Sequence, residues 1–274
     1  MSTTAGELHR HRWDPPAGAT PRPCGVYLLH GIGEHAGRYE RLAARLVREG
    51  WSVAAHDHRG HGRSGGARGV ALPPDRLVAD ARGELERFAE RTGREPVLFG
   101  HSLGGVVATE IALERGVALA GLALSAPAIV PRLTATDRLK LRLMTTLAPS
   151  RALELPYDAN RLTHDPVEIA AAHADELVHG FKSAGLVNWL IGSARRALER
   201  APEIDVPTLL LIAGEDLLID TAETIAFAER LPAPGPTVHR YEGYRHELLN
   251  ETTDRRERVT ADIVRWLESL ESGR

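Results

Sequence analysis

Gly100-His101-Ser102-Leu103-Gly104 sets a serine between small residues, directly after the apolar run Val97-Leu98-Phe99 and before the helix-compatible pattern Leu103, Val106, Val107, Ile111. A serine raised on a sharp strand-to-helix turn is a nucleophile elbow, and the flanking glycines fit it, because side chains there would clash with neighbouring elements. A hydroxyl attacks only when a base takes its proton and a third group orients that base. In open α/β sheets the working groups come from loops at the carboxyl ends of strands. That filter leaves two loops, Gly214-Glu215-Asp216 and Gly243-Tyr244-Arg245-His246. The chain has 13 histidines, and position singles out His246 as the general base. Glu215 and Asp216 are adjacent, so only one of them can face the imidazole. The developing oxyanion needs two N–H donors, expected from Leu103 just after the nucleophile and from Ile32 in the loop after an early strand. His101 is expected to pack away from Ser102.

The elements that must hold these groups follow from apolar patterning. Strands are expected at Glu7 to Trp13, Gly25 to Leu29, Trp51 to Ala55, Val97 to Phe99, Leu119 to Leu124, Val206 to Ala213 and Thr237 to Tyr241. Helical patterns lie between them, at Tyr39 to Val47 (stopped by Gly50), Arg76 to Thr92 (closed by Gly93), after Ser102, at Thr221 to Leu231, and from about Leu248 to Leu270. Repeated strand-helix units imply a mainly parallel central sheet with helices on both faces. After Pro127 the alternation stops, and to about Ala201 only helical patterns and turns remain. The chain therefore divides into an α/β core, residues 1–127 and 202–274, and an inserted helical cap, residues 128–201.

Composition narrows the function class. In 274 residues, 34 basic side chains stand against 37 acidic ones, spread along the chain, which gives no basic patch for a nucleic acid. Cys24 is the single cysteine, so neither an intrachain disulfide nor a thiolate metal site is expected. The polar start lacks the apolar core of a secretory signal, and no apolar run is long enough to span a bilayer; a soluble, cytoplasmic protein is expected. Three rivals are weighed. Gly31-x-Gly33-x-x-x-Gly37 with Asp57 mimics a dinucleotide fingerprint, but a strand precedes the unit and neither Lys140 nor Lys182 follows a tyrosine by four residues. A metal hydrolase built on His56, Asp57, His58 and His61 lacks a spacing that gives three ligands one face. A non-catalytic binding module would typically lack a triad member, and none is missing.

With these residues assembled, the chain resembles an α/β-hydrolase of the monoacylglycerol lipase type over nearly its full length, in a form closest to the actinobacterial members. The resemblance rests on His30-Gly31-Ile32-Gly33-Glu34-His35-Ala36-Gly37-Arg38-Tyr39, on Asp57-His58-Arg59-Gly60-His61-Gly62-Arg63-Ser64, on the elbow, and on Tyr241 to Glu247. Thr163-His164-Asp165-Pro166 and Asp175 to Gly180 add to it. It implies the triad Ser102, Asp216 and His246, choosing Asp216 over Glu215, and Ile32 and Leu103 as oxyanion donors. It also implies that Glu34 and Arg38 lie near a glycerol pocket. Two positions depart from the family: Glu176 follows Asp175 where proline is usual, and Leu249 stands where animal members carry a histidine that contacts the polar end of the substrate.

The expected reaction is hydrolysis of single-chain lipid esters, monoacylglycerols first, with lysophospholipids or a broad range of carboxylic esters as the alternative. No cofactor or metal is required. Ile129, Val130, Leu133, Leu139, Leu143, Met144, Leu147, Leu186 and Trp189 are candidates for an acyl channel, with Ile129, Leu143, Met144, Leu186 and Leu249 expected at the substrate. The apolar cap helices are expected to touch micelles or membranes transiently without anchoring. The chain is expected to act as a monomer or homodimer.

Overall fold

The structure is a computed structural model that describes all residues except 1–6, 21, 72, 74, 115, 130–133, 156 and 273–274. Val130 and Leu133 of the expected acyl channel therefore lie outside the described residues.

In chain order the elements are β1 (Arg10–Trp13), β2 (Val26–Leu29), α1 (Glu40–Arg48), β3 (Val53–His56), α2 (Arg76–Thr92), β4 (Val97–His101), α3 (Leu103–Ala112) and β5 (Gly121–Ser125). Then come α4 (Ala135–Leu147), β6 (Ala152–Glu154), α5 (Pro166–Ala174), β7 (Phe181–Ser183) and α6 (Ala184–Arg200). The chain closes with β8 (Thr208–Ala213), α7 (Thr221–Arg230), β9 (Thr237–Tyr241) and α8 (Thr253–Ser272).

The central sheet runs β1-β3-β2-β4-β5-β8-β9. Every pairing in it is parallel except β1 on β3, so the expected mainly parallel sheet is present. Its inner strands are buried throughout because helices cover both faces. The two-residue period of a strand divides them cleanly. Tyr27, Leu29, Leu98, Leu122, Leu124, Leu210 and Ile212 pack with α2, α3 and α7. Val26, Leu28, Val97, Phe99, Leu209 and Leu211 pack with α1 and α8 on the other face. The parallel register brings the carboxyl ends of β2, β4, β8 and β9 to one edge.

Residues 128–201 differ from expectation in one respect. Besides α4, α5 and α6 they contain the antiparallel pair β6–β7, with Ala152 opposite Ser183 and Glu154 opposite Phe181. Three-residue strands almost thirty residues apart carry no alternation that a sequence pattern could register. α6 packs directly on the central sheet's helices, since Leu186, Leu190 and Ala197 share a buried cluster with Leu103 and Val107 of α3. The last helix also begins later than the apolar pattern suggests: Leu248–Asn250 form a separate short turn before α8.

The stretch before β7 meets the loop after β2 through close backbone contact. His179 N–H donates to Gly33 O at 2.9 Å, and a Cβ on Gly33 (φ +82°) would lie 2.5 Å from His179 O. Only glycine permits that approach. With Glu176 next in the chain, Asp175 makes the turn itself: Oδ1 accepts Leu177 N–H at 2.9 Å, and Oδ2 pairs with His35 Nε2 at 2.7 Å.

Candidate active site

Ser102 sits between the last residue of β4 and the first of α3 with φ 51° and ψ −115°, one of two non-glycine residues with positive φ among those described. Such a backbone persists only when its surroundings over-determine it. Here Ser102 N–H donates to Ser125 O at 3.1 Å, while Gly105 N–H and Ala128 N–H both donate to Ser102 O, at 3.0 and 3.1 Å. A Cβ on Gly104 would lie 2.2 Å from Leu29 O, so that glycine lets α3 seat against the end of β2 and its loop. The elbow and the His30 loop are thereby held side by side, with Ser102 Cβ 3.3 Å from the position a Cβ on Gly31 would take. Among the described residues Ser102 Oγ makes no hydrogen bond.

β8 and β9 deliver the other two groups. His246 Nδ1 donates to Asp216 Oδ2 at 2.7 Å, and Asp216 Oδ1 accepts Leu218 N–H and Ile219 N–H at 2.8 and 2.9 Å. Both side chains are buried. Burial alone would raise the Asp216 carboxyl, but the His246 imidazole and the two backbone donors outweigh it and hold it below the ordinary aspartate value. For His246 burial lowers the pKa, yet the Asp216 carboxylate, helped by Glu247 and Glu34, leaves it raised. Glu215 points elsewhere, half exposed and 3.6 Å from His164. Of the two adjacent acids, Asp216 alone meets the imidazole. His101 directs Nδ1 to Ser125 O at 3.0 Å, while its ring packs against that of His246 with centroids 4.9 Å apart.

Leu103 opens α3, where first-turn N–H groups have no intrahelical partner. Ile32 lies in a loop set by its neighbours. His30 Nδ1–H donates to Gly31 O at 2.7 Å and Nε2 accepts His58 N–H at 2.8 Å, which fixes one neutral tautomer. Gly31 N–H donates to Glu34 Oε1 at 2.6 Å. Complete burial keeps His30 far below the usual histidine range.

Glu34 and Arg38 are committed to protein partners. Besides Gly31, Glu34 accepts Tyr39 O–H at 2.7 Å and Arg38 Nη1 at 3.2 Å. Arg38 then makes two parallel bonds to Glu247, at 2.7 and 2.8 Å, and Tyr157 O–H lies 3.4 Å from both. Asn250 Nδ2 donates to Glu247 at 2.9 Å. One buried guanidinium thus links the loop after β2, the loop after β9 and Tyr157. Glu247 is held down to about 2 because Arg38 outweighs its burial, whereas burial and the charge of Glu247 leave Glu34 raised. Glu247, Tyr157 and Asn250 were not among the expected site residues. The one sequence signal was Glu247 next to the base, with nothing to name its partner.

The expected substrate contacts scatter. Ile129 and Leu186 are fully buried in the cluster that contains Leu103, beside the elbow. Leu143 is 58% exposed on α4 and Met144 is partly buried there, so Leu143 does not line an internal channel. Leu249 is corrected too: it packs against the α1 and α8 face with Leu42 and lines a cavity of about 170 Å³ there, not one at Ser102. The side chain three residues after the base is turned away by the Leu248–Asn250 turn.

The rival arrangements meet specific obstacles. The Asp57 carboxylate, which would hold a ribose, accepts Ala36 N–H, Arg63 N–H and His11 Nε2 at 2.8 to 2.9 Å. His56, His58 and His61 point to Tyr27 O–H, His30 O and Arg59 O respectively, and do not converge. Among the described residues, the ligand atoms that do lie together are those of His9, His11 and Asp57.

Residues 21–253 match the family model Serine aminopeptidase, S33 (Hydrolase_4). A monoacylglycerol lipase of Mycolicibacterium smegmatis is 33% identical over 89% of this chain and 88% of its own length. An uncharacterized abhydrolase domain-containing protein of Dictyostelium discoideum is 29% identical over 88% of this chain, which spans 26% of that longer protein. Among solved structures, a monoacylglycerol lipase of Paleococcus ferrophilus superposes with a TM-score of 0.85 at 30% identity, covering 96% of this chain and 99% of that one.

Proposed function

The chain belongs to the monoacylglycerol lipase branch of the serine aminopeptidase S33 (Hydrolase_4) family of α/β-hydrolases and is an ester hydrolase, and from that premise we propose that it cleaves single-chain lipid esters, monoacylglycerols first, through an acyl-enzyme on Ser102. The observation that carries the mechanism is the buried Asp216–His246 pair at the same sheet edge as the strained Ser102. His246 takes the Ser102 proton through Nε2 as Oγ attacks the ester carbonyl. Asp216 fixes the Nδ1–H tautomer and stabilises the imidazolium. Ile32 N–H and Leu103 N–H receive the oxyanion. The imidazolium then protonates the leaving alcohol, and water activated by the same histidine releases the fatty acid. The family's role for Glu34 and Arg38 near glycerol is recast: both shape the wall beside the alcohol, because their polar atoms are held by protein groups.

Residues 128–201 act in this proposal as the cap over the acyl chain, with Ile129 and Leu186 nearest the elbow. α4 exposes Leu139, Leu143 and Leu147 (71, 58 and 72%) on one side, among Arg138, Lys140 and Arg142. No described helix is long and apolar enough to cross a membrane, and transient surface contact through α4 suits a substrate held in micelles or bilayers. Turnover of a monoacylglycerol should rise across its critical micelle concentration in the native chain and lose that step in Leu143→Ser; an unchanged native profile would overturn the surface contact.

The direct test compares mono-, di- and triacylglycerols with lysophospholipids, in the native chain and in Ser102→Ala. We expect monoacylglycerols to be turned over fastest and kcat to fall by about 10⁴-fold or more without the nucleophile. Activity within tenfold of native in Ser102→Ala would overturn the mechanism, and preference for lysophospholipid would overturn the substrate class.

A further inference from the structure

β1 forms the edge of the sheet farthest from β9, with β3 and β2 between it and β4, which carries the elbow. Its antiparallel register places Arg10 opposite His56 and His11 opposite Ala55. Extended by one residue, it sets His9 opposite Asp57, and Asp57 N–H donates to His9 O at 2.9 Å. Side chains alternate along a strand, and opposite residues share a face. His9, His11 and Asp57 therefore project to one side of the β1–β3 ribbon, and the small Ala55 opposite His11 leaves that face to the imidazoles.

From this geometry we infer that His9, His11 and Asp57 form a binding site for a divalent transition-metal ion of the zinc class. One ligand atom from each of the three lies within 4.8 Å of the others. The His9 and His11 rings are edge-to-face with centroids 4.8 Å apart, and His11 Nε2 is 2.9 Å from Asp57 Oδ1. Two imidazole nitrogens and one carboxylate oxygen, with water in the fourth position, match the donors and count that zinc accepts. The carboxylate is already aimed, because Ala36 N–H and Arg63 N–H hold its two oxygens at 2.9 and 2.8 Å. Fixed outer donors of this kind orient a metal-binding carboxylate. His9 and His11 are partly exposed, which gives the ion a path from solvent. On binding, His11 would offer its Nε2 lone pair to the metal, with the ring proton on Nδ1. The ion would cross-link the start of β1 to the loop after β3.

The test needs no substrate and so stands apart from the esterase proposal. Zn²⁺ is titrated calorimetrically into the full chain, Co²⁺ is followed by visible absorption, and melting is recorded with and without Zn²⁺. The native chain should bind one equivalent, give a tetrahedral Co²⁺ spectrum, and melt higher with zinc. His9→Gln and His11→Gln should each weaken Zn²⁺ at least tenfold and remove the melting shift, while His239→Gln should change neither. A native chain that takes up no zinc overturns the inference. So does a His9→Gln/His11→Gln double variant that binds as the native chain does, which would place the ion elsewhere.

Discussion

His246 is set between two carboxylates that do different work. Asp216 touches Nδ1 and fixes the tautomer, whereas Glu247, one residue on, acts through space and is itself fixed by Arg38. Both favour the imidazolium, and with Glu34 they raise the His246 pKa against its burial. The base works in its neutral form, so activity falls as pH drops through that raised value. Glu247→Gln removes one negative charge and should move the acid limb of the kcat/KM profile to lower pH, with KM little changed. An unmoved limb would show that Glu247 is electrostatically silent, and a shift to higher pH would reverse its sign. Ser102 stands in contrast, since its place depends on backbone strain and neighbouring glycines, which no charge can tune.

At the level of elements, four strand ends set the geometry, and the Arg38 network ties two of their loops together. Glu34 fastens the loop after β2 through Gly31, and Glu247 fastens the loop after β9. Replacing one partner leaves the other buried charge uncompensated, at a cost of about 3–5 kcal/mol. Arg38→Met should therefore destabilise by that order and lower kcat as the loops lose register. Arg38→Met with Glu247→Leu should cost less than the two single changes summed, as chemical unfolding of the four-protein cycle would measure. Strict additivity would mean that the pair does not couple the loops. The segment between β6 and β7 joins the same network through Tyr157, and its end leans on the loop after β2 through His179 and Gly33.

Across the whole molecule, a string of histidines is buried around the β2–β3 end of the sheet. Burial lowers His56 to about 4, and His58, His61 and His101 to about 3, with His30 also well below the ordinary value. A histidine whose folded pKa is depressed binds fewer protons folded than unfolded, so stability falls as pH drops below about 6.5 and continues to fall toward those values. The depressed carboxyls of Asp57 and Glu247, each about 2, add in the same direction below their ordinary range near 4. Circular dichroism on acidification should show cooperative unfolding starting between about pH 6 and 4. Native structure retained at pH 3 would contradict this account of the buried imidazoles.

The sequence by itself determined the sheet and the elbow. Buried strands of Val, Leu and Ile between amphipathic helices have few other ways to pack, and Gly100-His101-Ser102-Leu103-Gly104 has a local backbone requirement that its own residues state. It also narrowed the base to His246, because loops at strand ends are readable in order. Spacing left Glu215 and Asp216 open and the family resemblance chose Asp216; the tertiary structure supplies the reason, since adjacent side chains differ in direction and Asp216 is the one on the imidazole. Only the tertiary structure turned Leu249 toward α1 and α8, left Leu143 in solvent, paired β6 with β7, and gave Glu247 its arginine across more than two hundred residues. These outcomes depend on which surfaces meet once the sheet has closed, and contacts between distant segments leave no periodic trace along the chain.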